Sequence, residues 1–144
     1  MADQEKYGCP GCWPESAEAA WEAGSLLERR HELIRESHFN VRIVGCHACG
    51  QAFLWVFSEL IDWSAGDDSQ GWIRIPLTVD EVRNLRGLPE DDVERTIYGI
   101  GENRRSLRRI HPRGMTAGCS WDWGFQRYRT TSGGGHSQSD VGVT

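Results

Sequence analysis

Apolar positions recur along this chain with two different periods. Between Trp13 and Ser37, the residues Ala17, Ala20, Trp21, Gly24, Leu27, His31 and Ile34 fall at steps of three and four, which places them on one helical stripe. Trp13-Pro14-Glu15-Ser16 opens this segment, with Glu15 and Glu18 near the positive end of the helix dipole. Glu22, Glu28, Arg29, Glu32 and Arg35 occupy the other faces. The pattern predicts a long helix over residues 14–37. From Phe39 the period drops to two. Val41, Ile43 and Val44 with Asn40 and Arg42 between them predict a strand over 39–44, and residues 51–60 predict a second. Phe53, Trp55 and Phe57 point one way, and Ala52, Leu54, Val56 and Ser58 the other. With both faces apolar, this strand is expected to be central, its aromatic residues part of the core.

Ser64 to Gly71 reads as a polar loop and Trp72 to Leu77 as a third strand. Pro76 lacks a donor, so the strand is expected at an edge or to end there. Thr78-Val79-Asp80-Glu81 has the form of a capping box and starts a short helix that Gly87 ends. Pro89-Glu90-Asp91-Asp92 starts another, closed by Gly99 and Gly101. Ser106–Ile110 and Ser120–Trp123 pair as a hairpin across Pro112-Arg113-Gly114, with a basic helix as the rival for the first of them. Residues 1–129 read as one domain, and residues 130–144, with Gly133-Gly134-Gly135 and scattered Ser, as a disordered tail.

Cysteine chemistry changes this picture most. Cys9-Pro10-Gly11-Cys12 and Cys46-His47-Ala48-Cys49 are two C-x-x-C pairs, and four thiolates are the full tetrahedral set for a structural Zn²⁺. Proline after the first Cys stiffens such a turn, and Gly50 after the second permits a left-handed residue. These pairs resemble the knuckles of a zinc ribbon, which often read C-P-x-C-G and C-x-x-C-G, although Trp13 stands where the first glycine is usual. The resemblance covers roughly residues 7–60 and implies a β-hairpin with the metal at its bend. The gap of 33 residues between Cys12 and Cys46 is filled by the predicted helix. The expected fold is therefore α+β: a zinc-ribbon-like antiparallel sheet, a long helix inserted between the knuckles, and short C-terminal helices. His31, His38 and His47 read as core or surface side chains, and Cys119 as a buried free thiol.

The opening residues show no signal peptide and no apolar run approaches ~20 residues, so a cytoplasmic location without membrane association is expected. Thiols stay reduced there, which favours metal over disulfide. Charge is unevenly placed within a net −5: residues 1–103 carry 9 Lys and Arg against 19 Asp and Glu, whereas residues 104–144 carry 7 against 2. Asp62, Asp67 and Asp68 with Trp63 and Trp72 form an acid–aromatic loop suited to a protein partner. Arg104, Arg105, Arg108, Arg109 and Arg113 form a basic run that suits phosphates. No P-loop, G-x-S-x-G or H-E-x-x-H motif is present, and no Ser/His/Asp set. The sequence points to a non-enzymatic, zinc-stabilised interaction or adaptor protein of the bacterial cytosol. The alternatives are a nucleic-acid-binding regulator using the arginine run and, more remotely, a thiol–disulfide oxidoreductase working through a C-x-x-C pair.

Overall fold

The computed structural model describes residues 7–60, 69–111 and 117–125. Six strands lie in one antiparallel sheet in chain order: β1 (Leu27–Glu36), β2 (Phe39–Cys46), β3 (Ala52–Leu60), β4 (Ser69–Leu77), β5 (Arg105–His111) and β6 (Gly118–Trp123). The helices are short: α1 (Ala17–Glu22), continued by a 3₁₀ turn Ala23–Leu26, then α2 (Val79–Arg86) and α3 (Glu90–Ile97) between β4 and β5.

The long helix expected over 14–37 is overturned, and with it the fold class built on it. Only its first part is helical. Ser16 caps α1, its Oγ accepting from the Ala19 N–H at 3.1 Å. At Gly24 the chain passes so close to the Arg74 guanidinium that a Cβ would lie 2.4 Å from Nη2. From Leu27 onward the backbone pairs with β2 along its whole length, from Leu27 opposite Cys46 to Glu36 opposite Phe39. Two register shifts, between Arg29 and His31 and between Glu32 and Ile34, interrupt the ladder. Each inserts an extra residue, so His31 and Ile34 share a face although three positions apart. An irregular strand thereby imitates the helical step, and pairing with β2 decides the outcome over local spacing.

The remaining elements follow their local chemistry. The Thr78 hydroxyl accepts from the Glu81 N–H at 3.1 Å while a Glu81 carboxylate oxygen accepts from the Thr78 N–H at 2.9 Å, the reciprocal pair that starts α2. Pro76 lies inside the sheet, opposite Phe53 of β3. Its missing donor is harmless because pairing with β5 stops at Arg74. Strands β5 and β6 form the expected hairpin, not the rival helix. Their turn, including Arg113, lies outside the described residues, as do the 130–144 segment and Asp62, Trp63, Asp67 and Asp68.

The two faces of the sheet are covered differently. One buries Phe39, Val41, Ile43, Leu54, Val56, Ile73 and Ile75 against Leu85 of α2 and Val93 and Ile97 of α3. Each such side chain contributes roughly 1.5–3 kcal/mol on burial. On the other face, Val44, Cys46 and Phe53 pack against Cys9, Cys12 and Trp13, and Leu107 packs under Ala17 and Ala20 of α1. The N-terminal segment is thus folded over one end of this second face, at the mouth of the β2–β3 hairpin. No helix among the described residues is long and apolar enough to cross a membrane.

Candidate metal centre

Each C-x-x-C segment forms a tight turn that aims backbone N–H groups at sulfur. In the first, the Cys12 and Trp13 N–H groups donate to the Cys9 carbonyl at 3.1 and 2.8 Å, and the Cys9 N–H points at Cys12 Sγ from 3.2 Å. In the second, the Cys46 N–H donates to the Gln51 carbonyl and the Gly50 N–H to the Cys46 carbonyl, both at 2.9 Å. The Ala48 N–H points at Cys46 Sγ from 3.3 Å. Gly50 sits at φ +83°, the left-handed conformation that lets the second turn re-enter β3.

Gln51, which the sequence reading did not single out, joins the two turns. Its Oε1 accepts from the Gly8 N–H at 3.0 Å, and its Nε2 donates to the Leu77 and Ala52 carbonyls at 2.8 Å each. One side chain therefore ties the first knuckle to the second and to the end of β4. Trp13, standing where the ribbon pattern has glycine, anchors the first knuckle from beneath. Its ring lies 5.1 Å from Phe53 and 5.0 Å from Trp121. Trp121 Nε1 in turn donates to the Glu15 carbonyl at 2.8 Å.

The four sulfur atoms converge: every pair of the set Cys9, Cys12, Cys46 and Cys49 lies within 4.8 Å. The Sγ separations are 3.8 Å for Cys9–Cys12, 3.9 Å for Cys9–Cys46 and 3.8 Å for Cys12–Cys49. A tetrahedron with Zn–S bonds of ~2.3 Å has edges of about 3.8 Å. A disulfide needs about 2.05 Å, so none of these pairs is bonded. The cluster can hold a metal ion, and its all-sulfur, tetrahedral donor set suits zinc.

Electrostatics divides the set. The Cys49 N–H, ahead of the Ala48 N–H, lowers the Cys46 thiol to about 7 against the opposing effect of burial. Burial pushes the Cys12 thiol up, with the Cys9 N–H acting against it. Burial also raises Cys49. A metal removes this conflict by replacing the thiol protons with a cation. His47 stays outside the cluster, with Nε2 3.7 Å from a Glu28 carboxylate oxygen. Cys119 is half-buried and separate, with Arg109 Nη1 3.6 Å from its sulfur.

The structure disperses the basic run. Arg104 reaches back to Glu81 and the Pro76 carbonyl, and Arg108 meets Asp122 at 2.6 Å. Arg105 stacks over Trp121, 3.7 Å from the ring centre, and Arg109 over Trp21 at 4.6 Å. Arg105 and Arg109 lie on the α1 side of the sheet and Arg108 on the other, as strand alternation requires. Trp72 is half-buried, 5.4 Å from Phe57 and 5.5 Å from Trp21 between ring centres. Phe53 is fully buried, whereas Trp55 and Phe57 are only half-buried, so the aromatic row of β3 is not all core.

No protein-family model, curated protein or solved structure matches the chain.

Proposed function

We propose that this chain is a non-catalytic interaction scaffold of the bacterial cytosol whose N-terminal segment is held in place by one structural Zn²⁺ on Cys9, Cys12, Cys46 and Cys49. The convergence of four sulfurs at the edge lengths of a zinc tetrahedron carries the reading. Four protein ligands leave no open coordination position for catalysis. A thiol–disulfide role is less well supported, because among the described residues no strand precedes Cys9 and a second C-x-x-C pair is superfluous to that chemistry. Within this reading, Trp72 and the Asp62, Trp63, Asp67 and Asp68 loop belong to the partner-facing surface.

Metal analysis of the purified chain tests the core of the proposal. About one zinc per chain is expected, and Cys46→Ser should lose it, unfold less cooperatively and release the segment around Cys12 and Trp13 first. Metal-free protein that unfolds as cooperatively as the purified chain would overturn it. For the oxidoreductase alternative the discriminating result is thiol alkylation: rapid modification of Cys9 or Cys12 without chelator supports it, and protection until chelator is added removes it.

A further inference from the structure

Beside α1 and the knuckles, the second sheet face carries aromatic rings and guanidinium groups, with Trp21 of α1 packed against its Trp72 and Arg109. Cross-strand register makes one row of Asn40, Phe57, Trp72 and Arg109, with Arg42 and Trp55 opposite each other in the next. Phe57 and Trp72 are 5.4 Å apart between ring centres. Arg42 lies 4.1 Å above the Trp55 ring centre, and Arg109 lies 4.6 Å from Trp21 and 5.9 Å from Trp72. Trp55, Phe57, Trp72, Arg42 and Arg109 are all half-buried, so solvent reaches them.

Charge on this face runs against the charge of the whole. Among the described strand residues it carries Arg29, Arg35, Arg42, Arg74, Arg105 and Arg109 against Glu32 and Glu59, with Glu18 and Glu22 on the α1 that covers its other part. Five further acids open the helices of the opposite layer, Asp80 and Glu81 in α2 and Glu90, Asp91 and Asp92 in α3. A chain of net charge −5 therefore presents a cationic, aromatic sheet surface on one side. Flat rings on adjacent strands, with arginines on β2 and β5 to either side, match a ligand that is planar and polyanionic. Bases stack on aromatic and guanidinium planes, and phosphates meet arginine.

We infer that single-stranded nucleic acid binds across the open face of the sheet, with bases on Trp55, Phe57 and Trp72 and phosphates at Arg42 and Arg109. The inference rests on the zinc-held scaffold above and puts a nucleic acid, in place of a protein, against Trp72. It uses a different surface from the Arg104–Arg113 run, of which Arg109 meets the ligand and Arg105 adds charge to the same face. Glu32, 3.6 Å from Arg42, opposes the ligand's charge.

The test uses the metal-replete full chain and labelled oligonucleotides of roughly 12 nucleotides, a length within the site sizes of sheet-based binders. Uridine RNA, thymidine DNA and a DNA duplex are compared by fluorescence anisotropy across a salt series. Both or either single strand should bind, with affinity falling as salt rises, and the duplex should bind at least about tenfold more weakly. Preference for RNA or DNA assigns the polymer. Trp55→Ala and Trp72→Ala should each weaken binding about tenfold or more. Arg109→Gln should weaken it and shallow the salt slope by about one, and Glu32→Gln should strengthen it. Zinc content and cooperative unfolding are measured for every variant. No single-strand binding at low salt overturns the inference, as does equal binding of duplex, indifference to Arg42→Gln and Arg109→Gln, or a protein partner that needs the same rings. If zinc is absent the scaffold reading fails; if zinc is present and oligonucleotides do not bind, only this inference does.

Discussion

Arg104 grips Glu81 with both arms of its guanidinium, Nη1 2.7 Å from Oε1 and Nη2 3.1 Å from Oε2. The same Glu81 closes the capping box of α2, and the same Arg104 donates to the Pro76 carbonyl at 2.7 Å. Two residues thus lock the end of β4, the start of α2 and the approach to β5. Burial opposes ionisation of Glu81, but the hydrogen bonds from Arg104 and the Thr78 N–H outweigh it and hold the carboxyl below its ordinary 4.5. A lowered carboxyl pKa contributes stability that is complete above the unfolded value and lost as pH falls through the folded one. Glu81→Ala should cost about 1–2 kcal/mol at neutral pH. Glu81→Gln should flatten the acid limb of stability below about pH 4.5, checked by urea unfolding across pH.

The two left-handed glycines of the knuckles should respond unequally to alanine. At Gly8, φ +74°, an added Cβ would lie 2.7 Å from Trp13 Cβ and 3.0 Å from Cys12 Sγ. At Gly50, φ +83°, it would meet nothing within 4 Å. Gly50→Ala should cost only the backbone term, roughly 1–2 kcal/mol. Gly8→Ala should cost more and also weaken zinc retention, as measured by competition with a chromogenic chelator. Equal effects would mean that the first turn does not position Cys12.

Phe53 links the sheet to the four-cysteine cluster. It is fully buried, and its ring lies 5.1 Å from that of Trp13. Phe53→Ala should destabilise the fold by about 3–5 kcal/mol. Because it removes the floor under the first knuckle, it should also speed zinc loss to chelator. An equally buried change on the far face, Ile75→Ala, should cost about 2–5 kcal/mol without that acceleration.

Metal removal should act locally before it acts globally. Apart from Cys46 at the end of β2, the strand ladders involve no knuckle cysteine, while Cys9 and Cys12 reach the sheet chiefly through sulfur, Gln51 and Trp13. Chelation should therefore release hydrogen-exchange protection first at Cys12 and Trp13, and then weaken the whole. Simultaneous loss of protection in β4 would contradict this order.

How much of this was legible beforehand differs by element. The β2–β3 hairpin, the capping box at Thr78 and Glu81, and the β5–β6 pair follow from alternation and turn chemistry that act locally. The clustering of Cys9, Cys12, Cys46 and Cys49 follows from spacing alone, since two C-x-x-C turns have few other uses. Strand β1 was hidden by its own irregularity: the extra residues at its two register shifts put Glu28, His31 and Ile34 on one face at steps of three. Gln51 carries no signal at all, because its role is set by the Gly8 N–H and the Leu77 carbonyl, which only folding brings near. The splitting of Arg105 and Arg109 from Arg108 was implicit in strand alternation, but invisible while a helix remained a rival for that segment.

Strands that adjoin in space in chain order can zip together one neighbour at a time, with only the β4–β5 step spanning a longer connection through α2 and α3. The sulfur contacts break that rule, since Cys9 must wait for Cys46, 37 positions later. Residues that precede the sheet in the chain are therefore the last to find their place, and a bound ion would act as a late latch on it.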